Sequence, residues 1–179
     1  MSGSWLPPEE DPRPHGDPVG EKATYLEYLG FHRQTLQLKC EGLTPEQLAR
    51  RSVPPSTLSL LGLVRHLAFV EHHWFVRVAQ GSDEPALFLK AEDRDADFTG
   101  AVGTQECVDE AFAALRTQVA RAEEWLDGVD EADLDRELPH PHGGTISIRE
   151  LVVHMIEEYA RHNGHADLLR ECIDGRTGE

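Results

Sequence analysis

The apolar residues of this chain recur mostly at intervals of three and four positions, the spacing of one buried face of a helix. Four long segments carry this pattern, so we predict helices over about 20–42, 56–80, 104–128 and 147–173. No segment shows a convincing two-residue alternation of a strand. The third segment has the clearest stripe, formed by Val108, Phe112, Leu115, Val119, Ala122 and Leu126. The pattern predicts an all-α protein built as a four-helix bundle.

Capping signals mark where several of these helices begin. Thr44 stands before Pro45, and a threonine N-cap followed by proline predicts a short helix that starts at this point. Thr104 has the position of an N-cap for the third helix. The sequence SIRE from Ser147 has the form of a capping box, which predicts the start of the fourth helix.

The remaining segments are predicted as connections. Residues 81–103 form a long link, rich in Asp, Gly and Glu, that would allow the second and third helices to run parallel. Residues 130–138 are predicted as a short capped turn and residues 139–145 as a loop or a tight hairpin tip. Proline-rich residues 1–18 are predicted as an extended N-terminal arm, with 19–179 as a single domain.

Charge and composition exclude several classes of partner. The net charge is −16, from 33 acidic and 17 basic residues, so nucleic acid and anionic membranes would be repelled. No apolar run approaches the roughly 20 residues of a membrane span, and the N-terminus lacks the pattern of a secretory signal. We therefore expect a cytoplasmic protein. The cysteines Cys40, Cys107 and Cys172 lie far apart and predict no disulfide framework.

The fourth helix carries an unusual series of ionisable residues. His154, Glu158 and His162 follow one another at intervals of four, and His165 comes three residues later. Side chains at this spacing lie on one face of a helix. Because the helix also carries many apolar residues, such a polar face would be costly to bury unless a partner such as a divalent cation satisfied it.

A metal ion needs a further ligand from another helix, and the second helix offers His66 within an apolar run. Two histidines and a carboxylate, His66, Glu158 and His162, would leave coordination positions open for water or substrate. The alternative is a surface carboxylate–imidazole pair with His66 as an ordinary core histidine. The same donors also form the facial triad of iron(II) oxygenases, although that chemistry normally sits on a β-barrel.

Several other side chains are candidates for supporting roles. His154, His165 and His73 lie where they would orient ligands of the metal. Arg161 and Arg170 would contact an anionic substrate, with surface ion pairs as the alternative interpretation. No side chain is predicted as a catalytic nucleophile; of the cysteines only Cys172 is near the motif in sequence, and it lies too far along the helix to ligate.

Two segments resemble the DinB-like superfamily, and more narrowly an uncharacterised branch related to mycothiol-dependent enzymes. They are STLSLLGLVRHLAFVEHHWF and GGTISIRELVVHMIEEYARHNGHADLLRECIDG, and the resemblance extends over about residues 20–179. It implies an up-down-down-up bundle that holds one divalent metal through His66, Glu158 and His162. Relatives with Glu at the second of these positions include isomerases that use mycothiol. Relatives often have Gln where this chain has His165, which leaves open whether His165 joins the site.

The residues and the resemblance together predict a divalent-metal-binding protein, with zinc as the first choice of metal and nickel or iron as alternatives. The resemblance implies an enzyme that uses a low-molecular-weight thiol on a small electrophile, as an S-transferase or an isomerase. The alternative is a non-catalytic, metal-stabilised binding or interaction module. We also expect a small-molecule substrate and a homodimer.

Overall fold

The computed structural model describes Leu6 and residues 10–177, and most of these residues are helical. A π-helical segment, His72–Ala79, continues the helix that begins at Leu60, and a 3₁₀ turn spans Glu131–Asp133. Two short strands, β1 (Glu137–Pro139) and β2 (Thr145–Ser147), pair in antiparallel fashion. The helices are α1 (Glu21–Cys40), α2 (Pro45–Leu48), α3 (Leu60–Glu71), α4 (Ala96–Thr99), α5 (Gln105–Asp127) and α6 (Ile148–Asp174).

Three helix starts are fixed by the caps that the sequence predicts. The side chains of Thr44, Thr104 and Ser147 each accept a hydrogen bond from a backbone N–H in the first turn of α2, α5 and α6, respectively. Such bonds satisfy N–H groups that have no partner inside the helix. These predicted caps are confirmed, and α5 and α6 consequently begin where the sequence places them.

The second long helix differs from its prediction at both ends. It begins at Leu60 and not near residue 56, because the side chain of Ser59 accepts the N–H of Gly62 and caps the helix there. Its last eight residues are π-helical, whereas the prediction was a continuous α-helix. Buried positions at His72, Phe75 and Val76 suit either helix type, so apolar spacing alone does not separate them.

The short β-hairpin is the second departure from the predicted all-α pattern. The segment 130–138, predicted as a capped turn, is a 3₁₀ turn followed by β1. Residues between the strands form the hairpin tip, one of the two predicted alternatives, with His140 N–H donating to the carbonyl of Gly144. Pairing of Leu138 with Ile146 places the hairpin directly before α6, so the chain enters α6 from a fixed direction.

The four long helical elements pack in a defined set of pairs. α1 packs against α6, while α3 packs against α5 and α6. Leu29, Leu36, Leu61, Leu67 and Met155 are fully buried in the core between them. The up-down-down-up order of a four-helix bundle stays a prediction. No helix among the described residues has the length and apolar character required for a membrane span.

A buried network of charged and polar groups joins three of these helices. Arg33 of α1 donates two hydrogen bonds of 2.8 Å to the two carboxylate oxygens of Glu71 in α3. The hydroxyl of Tyr159 in α6 donates to Glu71 Oε1, also at 2.8 Å. Glu71 and Tyr159 have no exposed surface, so the carboxylate has its partners inside the core. The network fixes α3 and α6 relative to each other close to the candidate site.

Part of the predicted N-terminal arm lies outside the described residues, namely residues 1–5 and 7–9. Residues 10–20 contain neither helix nor strand. The guanidinium of Arg13 lies over the ring of Phe31 in α1, 4.7 Å from its centroid, and forms an ion pair with Asp11. The end of the arm is therefore held against α1 by a cation–π contact.

Candidate metal centre

Three side chains from α3 and α6 converge on one point. His66 Nε2 lies 3.9 Å from Glu158 Oε2, and His162 Nε2 lies 3.5 Å from the same oxygen. One ligand atom from each residue falls within 4.8 Å of the other two. Across the described part of the chain, this is the only group of three or more His, Cys, Asp or Glu residues with that property. We call it the three-residue cluster.

The donor set and spacing fit a divalent metal. Two ligands of a tetrahedral zinc ion, each about 2.1 Å from the metal, lie about 3.4 Å apart. The separations of 3.5 and 3.9 Å are close to that value, so small side-chain rotations would suffice. Two imidazole nitrogens and one carboxylate oxygen are ligands that zinc, nickel and iron accept. Three protein ligands leave room for at least one more.

The neighbours of His66 explain how its ring is held. The ring is stacked on the Phe98 ring, with ring centroids 4.6 Å apart. Its centroid lies 6.3 Å from that of the Phe69 ring. His66 Nδ1 lies 2.7 Å from Oδ2 of Asp97, a residue of α4 that is only 3% exposed. A carboxylate at this distance holds the proton on Nδ1, which leaves the lone pair of Nε2 facing the cluster.

Asp97 is a residue of the site that sequence reasoning missed. It lies in the link predicted to be irregular, 31 positions from its partner His66, where no helical spacing connects the two. Its other oxygen accepts the backbone N–H of Phe98, and Arg65 Nε donates to the Asp97 carbonyl. The Phe98 N–H therefore orients the carboxylate, and Arg65 holds the backbone that carries it. The only sequence signal was the short Asp-Ala-Asp-Phe-Thr stretch within that link.

His162 has a corresponding partner on its own helix. His165 Nδ1 lies 3.3 Å from His162 Nδ1, so one ring donates and the other accepts. When His162 donates from Nδ1, its Nε2 lone pair faces Glu158. The geometry thus gives each histidine of the cluster an orienting group: Asp97 for His66 and His165 for His162.

The two oxygens of Glu158 have different surroundings. Oε2 faces His66 and His162, whereas Oε1 lies 3.8 Å from His154 Nε2 and 3.9 Å from Arg161 Nη1. His154 and Arg161 therefore stand on the outer side of the carboxylate. The side chain of Arg161 is 64% exposed, which leaves it accessible to solutes.

The protonation equilibria of the cluster reflect these contacts. Hydrogen bonding to His162, then to His66, lowers the pKa of Glu158 far below its usual range. Burial by itself would lower the pKa of His66, but hydrogen bonds and charge interactions with Asp97 and Glu158 outweigh burial and raise it. Burial lowers the pKa of His165. In the metal-free protein, a proton on His66 therefore occupies the position that a cation would take.

Two of the predicted supporting residues lie elsewhere. Arg170 donates from Nη1 to the carbonyls of Lys39 and Glu41 and pairs with Asp174, so it holds the C-terminal end of α1. The anion contact predicted for Arg170 has no support in this geometry. His73 packs against Phe69 and Trp74, and no hydrogen bond within the described residues joins it to the cluster. An orienting role for His73 stays a prediction.

The cluster is partly open to solvent. The side chains of His66, Glu158 and His162 are 17%, 15% and 9% exposed. Surface hollows lie beside two neighbours of the cluster: one of about 390 Å³ is bordered by Trp74 and His154, and one of about 180 Å³ by Leu58 and His165. None of the three cluster residues borders either hollow, so the exposed fraction of their own side chains is what makes the ligand atoms accessible.

Together, the helical fold and this cluster define a class of helical proteins with a candidate site for one divalent metal. The model of the mycothiol-S-transferase family matches residues 24–175, so the chain belongs to this DinB-like family. The chain is also similar in structure to a conserved protein from Enterococcus faecalis, with a TM-score of 0.62 and 16% identity. That similarity covers 88% of this chain and 99% of the other, and it concerns the fold alone. No curated protein matches the chain in sequence.

Proposed function

We propose that this protein is a metal-dependent enzyme that transfers a low-molecular-weight thiol, mycothiol in the first instance, to a small electrophile. The observation that carries the proposal is the partly open cluster of His66, Glu158 and His162. Membership of the mycothiol-S-transferase family supports the choice of thiol. A divalent ion, with zinc as the first choice, would lower the pKa of a thiol and so supply thiolate near neutral pH.

The residues around the cluster prepare it for this role. Asp97 and His165 set the orientation of His66 and His162, so both Nε2 atoms are directed to one point. Glu158 remains a carboxylate at every physiological pH because its pKa is strongly lowered. The ligand set therefore needs little rearrangement to bind a cation, which reduces the cost of forming the site.

The thiol must come from outside the protein. Cys40 is fully buried, and burial raises the pKa of its thiol to about 12, so it is not a nucleophile at neutral pH. Cys107, in the first turn of α5, is also buried. Cys172 is exposed, but it lies ten residues beyond His162, about 15 Å along the helix.

Transfer of the thiol to the electrophile needs no oxidant or reductant. The thiolate sulfur forms a bond to the electrophilic carbon. On a halide, the leaving group departs with the electron pair of its former bond; on an α,β-unsaturated ketone, the π electron pair moves to the enolate, which then takes up a proton. The proton of the thiol needs an acceptor, and His154 stands beside Glu158 with a third of its side chain exposed. An imidazole at this position can accept the proton and release it to water. Arg161 would attract an anionic group of either substrate.

The proposal also includes an up-down-down-up four-helix bundle, a homodimer and a cytoplasmic location. The packing of α3 on α6, which brings His66 to Glu158 and His162, supports the bundle.

A conjugation assay tests the proposed reaction. Mycothiol and a panel of electrophiles, including an aryl halide and an α,β-unsaturated ketone, are incubated with metal-loaded protein and with protein treated with a chelator. We expect turnover only with metal, and a loss of at least about 100-fold for Glu158→Gln because a ligand is removed. Glu171→Gln, an exposed carboxylate of the same helix that borders neither hollow, is the matched control and should retain turnover. Equal rates with and without metal would contradict the proposal, and metal binding without any turnover would favour the binding module.

A further inference from the structure

A separate pocket, of about 370 Å³, lies beside the π-helical segment and outside the three-residue cluster. Its wall includes His73 and Arg77 from that segment, Ser82 and Asp83 from the following link, and His140 from the hairpin tip. His73 and Arg77 are four positions apart, which places both side chains on the same face of the helix. π-helical turns occur often at functional sites, because they displace side chains from their regular helical positions. We call it the Arg77 pocket.

The guanidinium of Arg77 lacks the partners that a partly buried arginine normally has. Its Nε is enclosed by protein and makes no hydrogen bond, and no carboxylate of the described residues forms an ion pair with it. The nearby Glu84 is already engaged, since Arg121 binds its two oxygens at 2.7 and 2.9 Å. The two terminal nitrogens of Arg77 are not enclosed, so they remain free to bind a solute from the pocket.

The two histidines add further hydrogen-bonding groups. His73 Nδ1 is enclosed without a partner, which leaves Nε2 as the ring nitrogen that can meet a ligand. His140 Nδ1 accepts the backbone N–H of His142 at 3.2 Å, so the proton of the neutral ring is on Nε2 and can be donated. Arginine and imidazole donors thus share one concave surface.

The charge of the pocket differs from that of the whole chain. The protein has a net charge of −16, yet the titratable side chains with the largest effect on His73 are all basic: Arg77, His72, His142 and His140. Burial, and then the positive charge of Arg77, lower the pKa of His73. Asp83 is the one acidic side chain of the pocket wall, and it is exposed. A cation is excluded by Arg77, whereas an anion would satisfy it.

We propose that the Arg77 pocket binds the carboxylate or phosphate group of a small molecule. Both groups match the fork of donors that a guanidinium presents, and each accepts hydrogen bonds from imidazole. A pocket of about 370 Å³ has room for such a group together with a few further atoms.

The position of Trp74 relates the pocket to the cluster. The Trp74 ring packs against two histidine rings of the pocket wall, with centroid distances of 5.4 Å to His73 and 5.8 Å to His140. It also packs against the His154 ring, with a centroid distance of 4.8 Å. His154 in turn contacts Glu158. A molecule that lies across Trp74 with its acidic group in the Arg77 pocket would place its other end near the cluster. That a ligand spans from the Arg77 pocket to the cluster rests on the proposed function. Binding of an anion in the Arg77 pocket does not.

Binding of simple anions tests the proposal. The metal-loaded protein is titrated with inorganic phosphate and, separately, with acetate, at constant ionic strength maintained by chloride, and binding is followed by calorimetry and melting temperature. We expect saturable binding of at least one anion, weakened at least about 10-fold by Arg77→Gln because a charge-assisted pair is lost. Arg116→Gln removes the same charge from an exposed site of α5 that does not border the pocket, and it should have no effect. The anion that binds with the higher affinity identifies whether the pocket prefers a phosphate or a carboxylate group.

A second variant makes the test independent of any damage by Arg77→Gln. Asp83→Asn removes the acidic group of the pocket wall, so anion affinity should rise about two- to fivefold. Absence of saturable binding for both anions, or equal binding by wild type and Arg77→Gln, would overturn the proposal. The titration requires no turnover, so a failed conjugation assay leaves its result unaffected.

Discussion

At the residue scale, His66 decides how the site responds to protons and to metal. Its Nδ1 is held by Asp97, and its Nε2 faces Glu158, so in the metal-free protein its pKa is raised despite burial. The pKa of Glu158 is lowered by His162 and His66. A metal ion and a proton therefore compete for the same nitrogen.

This competition predicts opposite pH dependence for the two forms. In metal-free protein, the raised pKa of His66 stabilises the fold below about pH 6.5, and this contribution is lost as pH rises through the folded pKa. The lowered pKa of Glu158 contributes above about pH 4.5 and is lost as pH falls through its folded value. Metal binding needs neutral histidine, so its contribution increases with pH.

We therefore expect the difference in melting temperature between metal-loaded and chelator-treated protein to widen from pH 5.5 to pH 8. Calorimetry of both forms across this range measures it, with helix content followed by circular dichroism. Helix content of the metal-free form should persist, because the apolar core does not include the metal. A difference that stays constant across the range would show that His66 and His162 do not exchange protons for metal.

At the scale of elements, the short helix α4 determines the orientation of His66. Asp97→Asn keeps the shape of the side chain but removes the charge that holds the proton on His66 Nδ1. We expect metal affinity to fall about 10- to 100-fold, the usual effect of altering a group that orients a ligand. Asp95→Asn, at an exposed position two residues earlier, is the matched control. A competition titration against a chromophoric chelator measures the affinities, and equal values for both variants would remove Asp97 from the site.

The elements also show what the sequence could predict. Caps at Thr104 and Ser147 fixed helix starts because a cap is a local interaction between residues three positions apart. The pair Glu158 and His162 was recognisable for the same reason, since helical spacing alone brings the side chains together. Asp97 was not recognisable, because its partnership with His66 depends on how the irregular link folds back over α3.

Helix α3 shows a different limit of prediction from sequence, which concerns where a helix begins and which helix type it forms. Ser59 caps α3, although the Ser56-Thr57 pair three residues earlier offers the same capping chemistry, so local sequence alone does not select the start. The π-helical segment keeps Phe75 and Val76 buried, as an α-helix would, so the apolar pattern does not distinguish the two helix types. The positions of His73 and Arg77 follow from that segment and became clear only in the structure.

At the scale of the whole molecule, buried polar contacts join the helices that carry the cluster. Glu71 of α3 receives Arg33 of α1 and Tyr159 of α6, and Tyr159 is the residue next to Glu158. Removing one partner of such a network leaves a buried charge uncompensated, so the network selects one arrangement of α3 and α6. The distance between His66 and the α6 ligands is thus fixed by the core, and the metal would enter a site already formed.

The central claim is that His66, Glu158 and His162 bind one divalent metal, and metal content tests it most directly. Wild type, Glu158→Gln and the matched control Glu157→Gln are loaded with zinc, dialysed against metal-free buffer and measured by elemental analysis. We predict one zinc per chain in wild type and in Glu157→Gln, and a large loss in Glu158→Gln, because two imidazoles alone bind zinc much more weakly. Full zinc occupancy in folded Glu158→Gln, or none in wild type, would contradict the assignment.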